Sequence, residues 1–168
     1  MAEPHKPITG GCLCECVRYT IHFPPDAKSP QVSTCQCTQC RKNTGSLIIH
    51  FITVPSSCIT WARPKPGPQH EAGSSVPTTT FQEYMSSPGC FRGFCEMCGT
   101  TLTWRSKRTG DKVDIMLGTV DEECLTKELC LPVDGQHWCK NFIKGVTDII
   151  PEGDRWFEDS GEDGVKLN

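Results

Sequence analysis

A chain of 168 residues with 36% hydrophobic and 22% charged side chains, 15 Gly and 13 Pro can bury one core but holds less apolar material than an average domain, so something besides burial must help it fold. Its 13 Cys are that help, and their odd number and close spacing argue against a secreted disulfide scaffold. A net charge of -3 with no basic stripe gives no support to nucleic-acid binding, and no apolar run approaches the roughly 18 residues of a membrane span.

In chain order, Met1 to Gly11 presents Glu3, Pro4, His5, Lys6 and Pro7 where a signal peptide would be apolar, which places the protein in a reducing cytosol. Residues 1–9 read as an N-terminal tail. Cys12-Leu13-Cys14 follows, with Cys16 two positions on, and Cys16 to Phe23 then alternates apolar and polar side chains with the period of a half-buried strand. Pro24-Pro25 ends it. The second cluster is Cys35-Gln36-Cys37-Thr38-Gln39-Cys40. Strands are expected at Leu47 to Val54, Ile59 to Trp61, Thr78 to Tyr84, Cys90 to Phe94, Thr100 to Arg105 and Val113 to Val120, all short and rich in β-branched or aromatic residues. Arg63 to Pro77, with four Pro and two Gly, reads as a long surface loop. Cys95-Glu96-Met97-Cys98-Gly99 is the third cluster, and Thr109-Gly110-Asp111 the turn of a hairpin. From Glu152 the chain turns acidic around Trp156 and Phe157, a solvated tail with one anchored turn. Many short strands joined by turns predict a mainly β chain, an antiparallel sandwich or related two-sheet arrangement.

The cysteine spacings are metal spacings. In an extended segment residues i and i+2 project to one face, so Cys-x-Cys aims two sulfurs at one ion, and Cys-x-x-Cys does the same through a turn. Gly99 after Cys98 suits a knuckle whose backbone amides face the sulfurs. A structural zinc takes four ligands, so Cys12 and Cys14 pair with Cys95 and Cys98 in a closed site whose binding energy is also folding energy. Cys35, Cys37 and Cys40 are left with no obvious fourth ligand, and three ligands with an open position describe a catalytic zinc. The alternatives stay open: Cys16, a distant Cys or His137 completes the second site, or the cluster is reduced and binds nothing. Cys58, Cys90, Cys124, Cys130 and Cys139 lack metal spacing and read as packing residues. Residues 1–110 carry 11 basic and 6 acidic side chains, residues 111–168 carry 6 and 14; the basic half balances thiolate-rich sites or receives an anionic ligand.

Gly10-Gly11-Cys12-Leu13-Cys14 running into Val17-Arg18-Tyr19, then Cys35-x-Cys37-x-x-Cys40-Arg41-Lys42-Asn43-Thr44-Gly45-Ser46, then Phe94-Cys95-x-x-Cys98-Gly99-Thr100 together resemble the glutathione-dependent formaldehyde-activating enzyme family, which also includes centromere protein V. Gly118-Thr119-Val120-Asp121 and Pro132 to His137-Trp138 are looser echoes. The resemblance spans roughly residues 10–140 and implies a β-tent of antiparallel sheets with zinc-binding cysteine knuckles; with the chain's length and composition, we expect a single domain over 10–150 followed by an acidic tail over 151–168. It implies two zinc ions per chain, a structural one on Cys12, Cys14, Cys95 and Cys98 and a catalytic one on Cys35, Cys37 and Cys40. It also implies an enzyme that joins glutathione and formaldehyde into S-hydroxymethylglutathione, a carbon-sulfur lyase by its reverse reaction. Two departures stand out: Glu15 and Cys16 occupy positions usually held by Gly-Ala, and Gln36 replaces a frequent His.

On this reading the partner is a small-molecule thiol or thiol adduct, with no nucleic acid and no membrane. Arg41 and Lys42 suit the carboxylates of a tripeptide, or charge balance at the cluster, and Ser46 and Thr44 are nearby hydrogen-bond donors. His137 is a candidate acid or base. The rival class is a non-catalytic zinc-stabilised protein-interaction module.

Overall fold

The computed structural model describes residues 6–24, 30–62, 80–159 and 164–167. The loop expected over 63–77 lies outside them, as do the first two residues of the strand expected from Thr78 and parts of both tails. Among the described residues the strands are β1 (Ile8–Gly11), β2 (Arg18–Ile21), β3 (Gln31–Cys35), β4 (Ile49–Pro55), β5 (Ile59–Ala62), β6 (Phe81–Ser87), β7 (Cys90–Cys95), β8 (Thr101–Ser106), β9 (Lys112–Met116) and β10 (Gly135–His137). Two short helices, α1 (Thr38–Thr44) and α2 (Lys127–Cys130), accompany them, so the fold is mainly β. The chain packs as two compact units, Met1–Ser29 with Val54–Leu125 and Pro30–Thr53 with Thr126–Asn168, and β4 carries it from the second into the first.

The first unit contains a three-stranded antiparallel sheet in the order β1-β2-β5. The alternation that marks β2 in the sequence buries Tyr19 and Ile21 and leaves Arg18 and Thr20 half-buried. Tyr19 faces Gly10 in register and lies so close over it that a Cβ there would collide with the Tyr19 hydroxyl and the Thr119 carbonyl. That hydroxyl reaches Thr119 Oγ1 at 2.9 Å, and burial pushes its pKa upward. Arg18 grips Asp121 through both terminal nitrogens, one at 2.9 Å, and Asp121 N–H donates to the Thr9 carbonyl at 2.9 Å. The same unit holds an antiparallel meander of β6, β7, β8 and β9, with Leu102 and Ile115 fully buried. Gly110, at φ 68°, lies in the connection between β8 and β9 where the hairpin turn was expected, after a 3-10 turn at Lys107–Thr109. The strand expected to run to Val120 stops at Met116 and passes into a 3-10 turn, Leu117–Thr119.

In the second unit β3 pairs antiparallel with β4, Gln31 opposite Thr53 and Cys35 opposite Ile49. On its other side β3 pairs with β10 in parallel, His137 opposite Cys35, so a parallel strand joins the antiparallel pairing that the sequence led us to expect. Buried amides do much of the joining. Gln136 Nε2 donates to the carbonyls of Ile150 at 2.9 Å and Glu152 at 2.7 Å, and its backbone exchanges hydrogen bonds with Asp154 and Trp156. Apolar burial comes from Val32, Ile49, Phe51, Ile52, Leu129 and Cys139.

Candidate metal centres

Cys12 follows β1 and sits in a tight loop. Its N–H donates to the Val17 carbonyl at 2.9 Å and its sulfur accepts from Val17 N–H at 3.2 Å. Glu15 turns the chain with φ 61° and its N–H donates to the Cys12 carbonyl at 3.0 Å; this is the left-handed region, where glycine is at ease and a side chain is not. Cys95 ends β7, and Gly99, at φ 72°, returns its N–H to the Cys95 carbonyl at 2.8 Å. The sulfurs of Cys12, Cys14, Cys95 and Cys98 all lie within 4.8 Å of one another, with Cys12 to Cys14 at 3.5 Å and Cys14 to Cys95 at 3.8 Å. A tetrahedral zinc with Zn–S near ~2.3 Å separates its sulfurs by about 3.8 Å, so the group fits that ion.

Thr100, which the spacing argument overlooked, sits beside this group. Its hydroxyl contacts Cys98 Sγ at 3.1 Å and accepts from Leu13 N–H at 3.2 Å, tying the two knuckles together. Burial pushes the Cys98 thiol up, but the Thr100 hydroxyl and the backbone of Thr100 and Cys14 outweigh it and bring it down to about 6. Burial raises the Cys12 and Cys14 thiols. Cys16 is buried and its thiol hydrogen-bonds with Cys14, yet it does not join the four-sulfur group.

The second group forms where β3 gives way to α1. Cys35 is the last residue of the strand, Cys37 caps the helix and Cys40 lies in its first turn. Cys37 N–H donates to Cys35 Sγ at 3.4 Å and Cys40 N–H to Cys37 Sγ at 3.2 Å, so the local fold aims amides at sulfur. The three sulfurs lie within 4.8 Å of one another, and among the described residues no Cys, His, Asp or Glu adds a fourth ligand atom to them. Cys35 and Cys40 are buried and Cys37 is half-buried. Hydrogen bonds from its two neighbours, then burial, drive the Cys35 thiol up, while hydrogen bonds from Cys35 and Cys40 drive Cys37 down. Three crowded thiols thus share charge unequally, a donor set suited to a thiophilic cation such as zinc.

His137, cross-strand from Cys35, stacks on Phe51 with centroids 6.2 Å apart and places Nδ1 3.5 Å from an Asp159 carboxylate oxygen. Burial lowers its pKa against the pull of Asp159. Gln36 is buried and its Nε2 donates to the Thr147 carbonyl at 3.2 Å, while its backbone carbonyl accepts from Asn141 Nδ2 at 3.0 Å. It ties the chain beyond β10 to β3, and nothing in the sequence marked Asn141 or Thr147 as its partners. Arg41 is half-buried on α1 and Lys42 is exposed. The Ser46 hydroxyl donates to the Ile48 carbonyl at 2.6 Å, and that of Thr44 to the Cys40 carbonyl at 2.9 Å. All 13 cysteines are free thiols; among the five without metal spacing Cys139 is buried and the rest are half-buried. No described helix is long and apolar enough to cross a membrane.

A family model described as glutathione-dependent formaldehyde-activating enzyme matches residues 7–141, which contain both sulfur groups. No curated protein matches the chain. A crystal structure of a Rhodobacter sphaeroides protein is similar to it with a TM-score of 0.49 and 14% identity, over 71% of this chain and 91% of that one.

Proposed function

We propose that this chain, which belongs to the glutathione-dependent formaldehyde-activating enzyme family, is a zinc-dependent carbon-sulfur lyase or synthase acting on glutathione or a glutathione adduct. The observation that carries the reading is the contrast between the two sulfur groups. One has four members, and the other has three with a half-buried Cys37 and no fourth ligand atom among the described residues. The first suits a structural zinc, the second a zinc that admits a substrate thiol, giving two ions per chain. Zinc bound at the second group would supply Lewis acidity toward an incoming sulfur and fix its position.

The chain's own part is to prepare that position. Cys35 and Cys40 hold two sulfurs in buried surroundings, and Cys37 presents the third toward the accessible side. The N–H groups of Cys37 and Cys40 spread the sulfur charge and fix the spacing. In the synthase direction a sulfur-carbon bond forms between thiol and aldehyde, and the carbonyl oxygen ends with the proton that the thiol gives up. The lyase direction reverses both changes. Free thiols throughout the chain suit a reducing, cytoplasmic setting.

The test compares zinc content and carbon-sulfur exchange in the unaltered chain and in Cys37→Ser, following labelled formaldehyde and glutathione by NMR. Two zinc ions falling to one, retained folding and lost exchange support the reading. Exchange retained in Cys37→Ser removes the trio from the chemistry, and no exchange by the unaltered, fully loaded chain favours a non-catalytic zinc module.

A further inference from the structure

We infer that Arg41 reads a carboxylate of the ligand and so selects a peptide thiol over a neutral one; this rests on the reading that a thiol is taken up at Cys35, Cys37 and Cys40. Arg41 N–H donates to the Cys37 carbonyl at 3.0 Å, which sets it one helical turn from Cys37 and directly after Cys40. Cys37, Cys40, Arg41 and Thr44 therefore share one side of α1. The Arg41 Nε is buried and has no hydrogen-bond partner, and among the described residues its guanidinium makes no ion pair. A buried donor without an acceptor costs free energy that a bound acceptor would recover. The planar fork of a guanidinium matches a carboxylate better than any other common anion of a peptide.

The surroundings leave that charge for an outside partner. Residues 30–53 contain no Asp or Glu. Five acidic side chains elsewhere in the same unit already have partners: Asp134 with Val32 N–H, Asp148 with Gly145 N–H, Asp154 with Lys166, Glu158 with Lys140 and Asp159 beside His137. Lys42 lies two positions past Cys40, off the sulfur side, and is exposed. The Ser46 hydroxyl already donates a hydrogen bond to the Ile48 carbonyl. Of the three side chains that the sequence offers to the ligand, Arg41 combines nearness to the sulfurs with an unmet donor.

A cation that merely offset sulfur charge would act on every thiol alike, whereas one that reads a carboxylate would not. The experiment loads the full chain with cobalt(II) and follows the sulfur-to-cobalt charge-transfer absorption during titration with glutathione, glutathione diethyl ester and 2-mercaptoethanol. On the unaltered chain the diester should bind about tenfold more weakly than glutathione, the size of one charged hydrogen bond lost at a partly exposed site. Arg41→Gln should weaken glutathione about tenfold and leave the diester and 2-mercaptoethanol within about twofold, and Arg41→Lys should recover part of the loss. Equal shifts for all three thiols, or glutathione binding unchanged in Arg41→Gln, overturn the inference. If Arg41→Gln does not fold, equal affinity of the unaltered chain for glutathione and its diester overturns it instead. A spectrum that no thiol alters sinks the thiol-binding reading and this inference with it.

Discussion

Glu15→Gly should stabilise the protein. Glu15 holds φ 61°, a conformation that costs an L residue roughly 1–2 kcal/mol and glycine almost nothing. Its side chain is exposed, and its charge acts on Arg18, an attraction worth a few tenths of a kcal/mol at a solvated site. Glycine gives back roughly 0.5–1 kcal/mol through the greater freedom of the unfolded chain. The balance is a gain of about 0.5 kcal/mol, at most about 1, hence a rise in Tm of roughly 1–4 °C for a chain this long. Glu15→Ala is the control: it removes the same carboxylate but keeps a Cβ in the left-handed region, so it should not gain. Thermal melts followed by circular dichroism, with zinc held at one fixed excess because metal binding shifts Tm by mass action, separate the two. If Glu15→Gly melts no higher than Glu15→Ala, backbone strain at Glu15 does not cost the fold stability.

Cys98→Ser should lose one zinc and most of its cooperative melt, because breaking a four-sulfur group forfeits metal-linked folding energy; metal analysis with circular dichroism checks it, and a normally melting variant contradicts the structural role. Gly10→Ala should cost about 3 kcal/mol or more, since its Cβ would meet the Tyr19 hydroxyl and the Thr119 carbonyl. Gly118→Ala, where a Cβ meets nothing within 4 Å, should stay within about 0.5 kcal/mol in the same denaturant titration. Hydrogen bonding to Arg18 lowers the Asp121 pKa despite partial burial. Its contribution to stability is therefore present above the ordinary carboxylate range and is lost as pH falls through the lowered folded value; Asp121→Asn should flatten that acid limb of a Tm-against-pH curve.

The strands that were legible share a pattern: β2, β4 and β8 carry alternating or β-branched side chains, and β5, β6, β7 and β9 begin or end within a few residues of expectation. The missed ones fail for local reasons. In β1, Ile8–Gly11, two glycines hide a strand because the Tyr19 ring lies over Gly10. In β3 the buried residues include Ser33 and Thr34, polar side chains that no hydropathy pattern marks. In β10 the central contact is made by the Gln136 amide, and its parallel partner is about 100 residues away in sequence. α1 was invisible because its seven residues begin inside the Cys37-x-x-Cys40 spacing, which reads as a turn; its cap is the Cys37 sulfur. The sulfur groupings were legible because coordination number limits the pairings. That Cys16 stands beside Cys14 without joining its group depends on the φ of Glu15 and the loop around it, which spacing does not encode.

The two sulfur groups also differ in how far along the chain their members are drawn from. The trio is complete once Cys40 has been made, whereas the quartet waits for Cys98, about 60 residues later, a delay of roughly 3–12 s at the pace of translation. An emerging chain therefore contains all three sulfurs of the second group well before it contains all four of the first. Whatever order of metal loading the chain follows, synthesis supplies the complete donor set of the trio first.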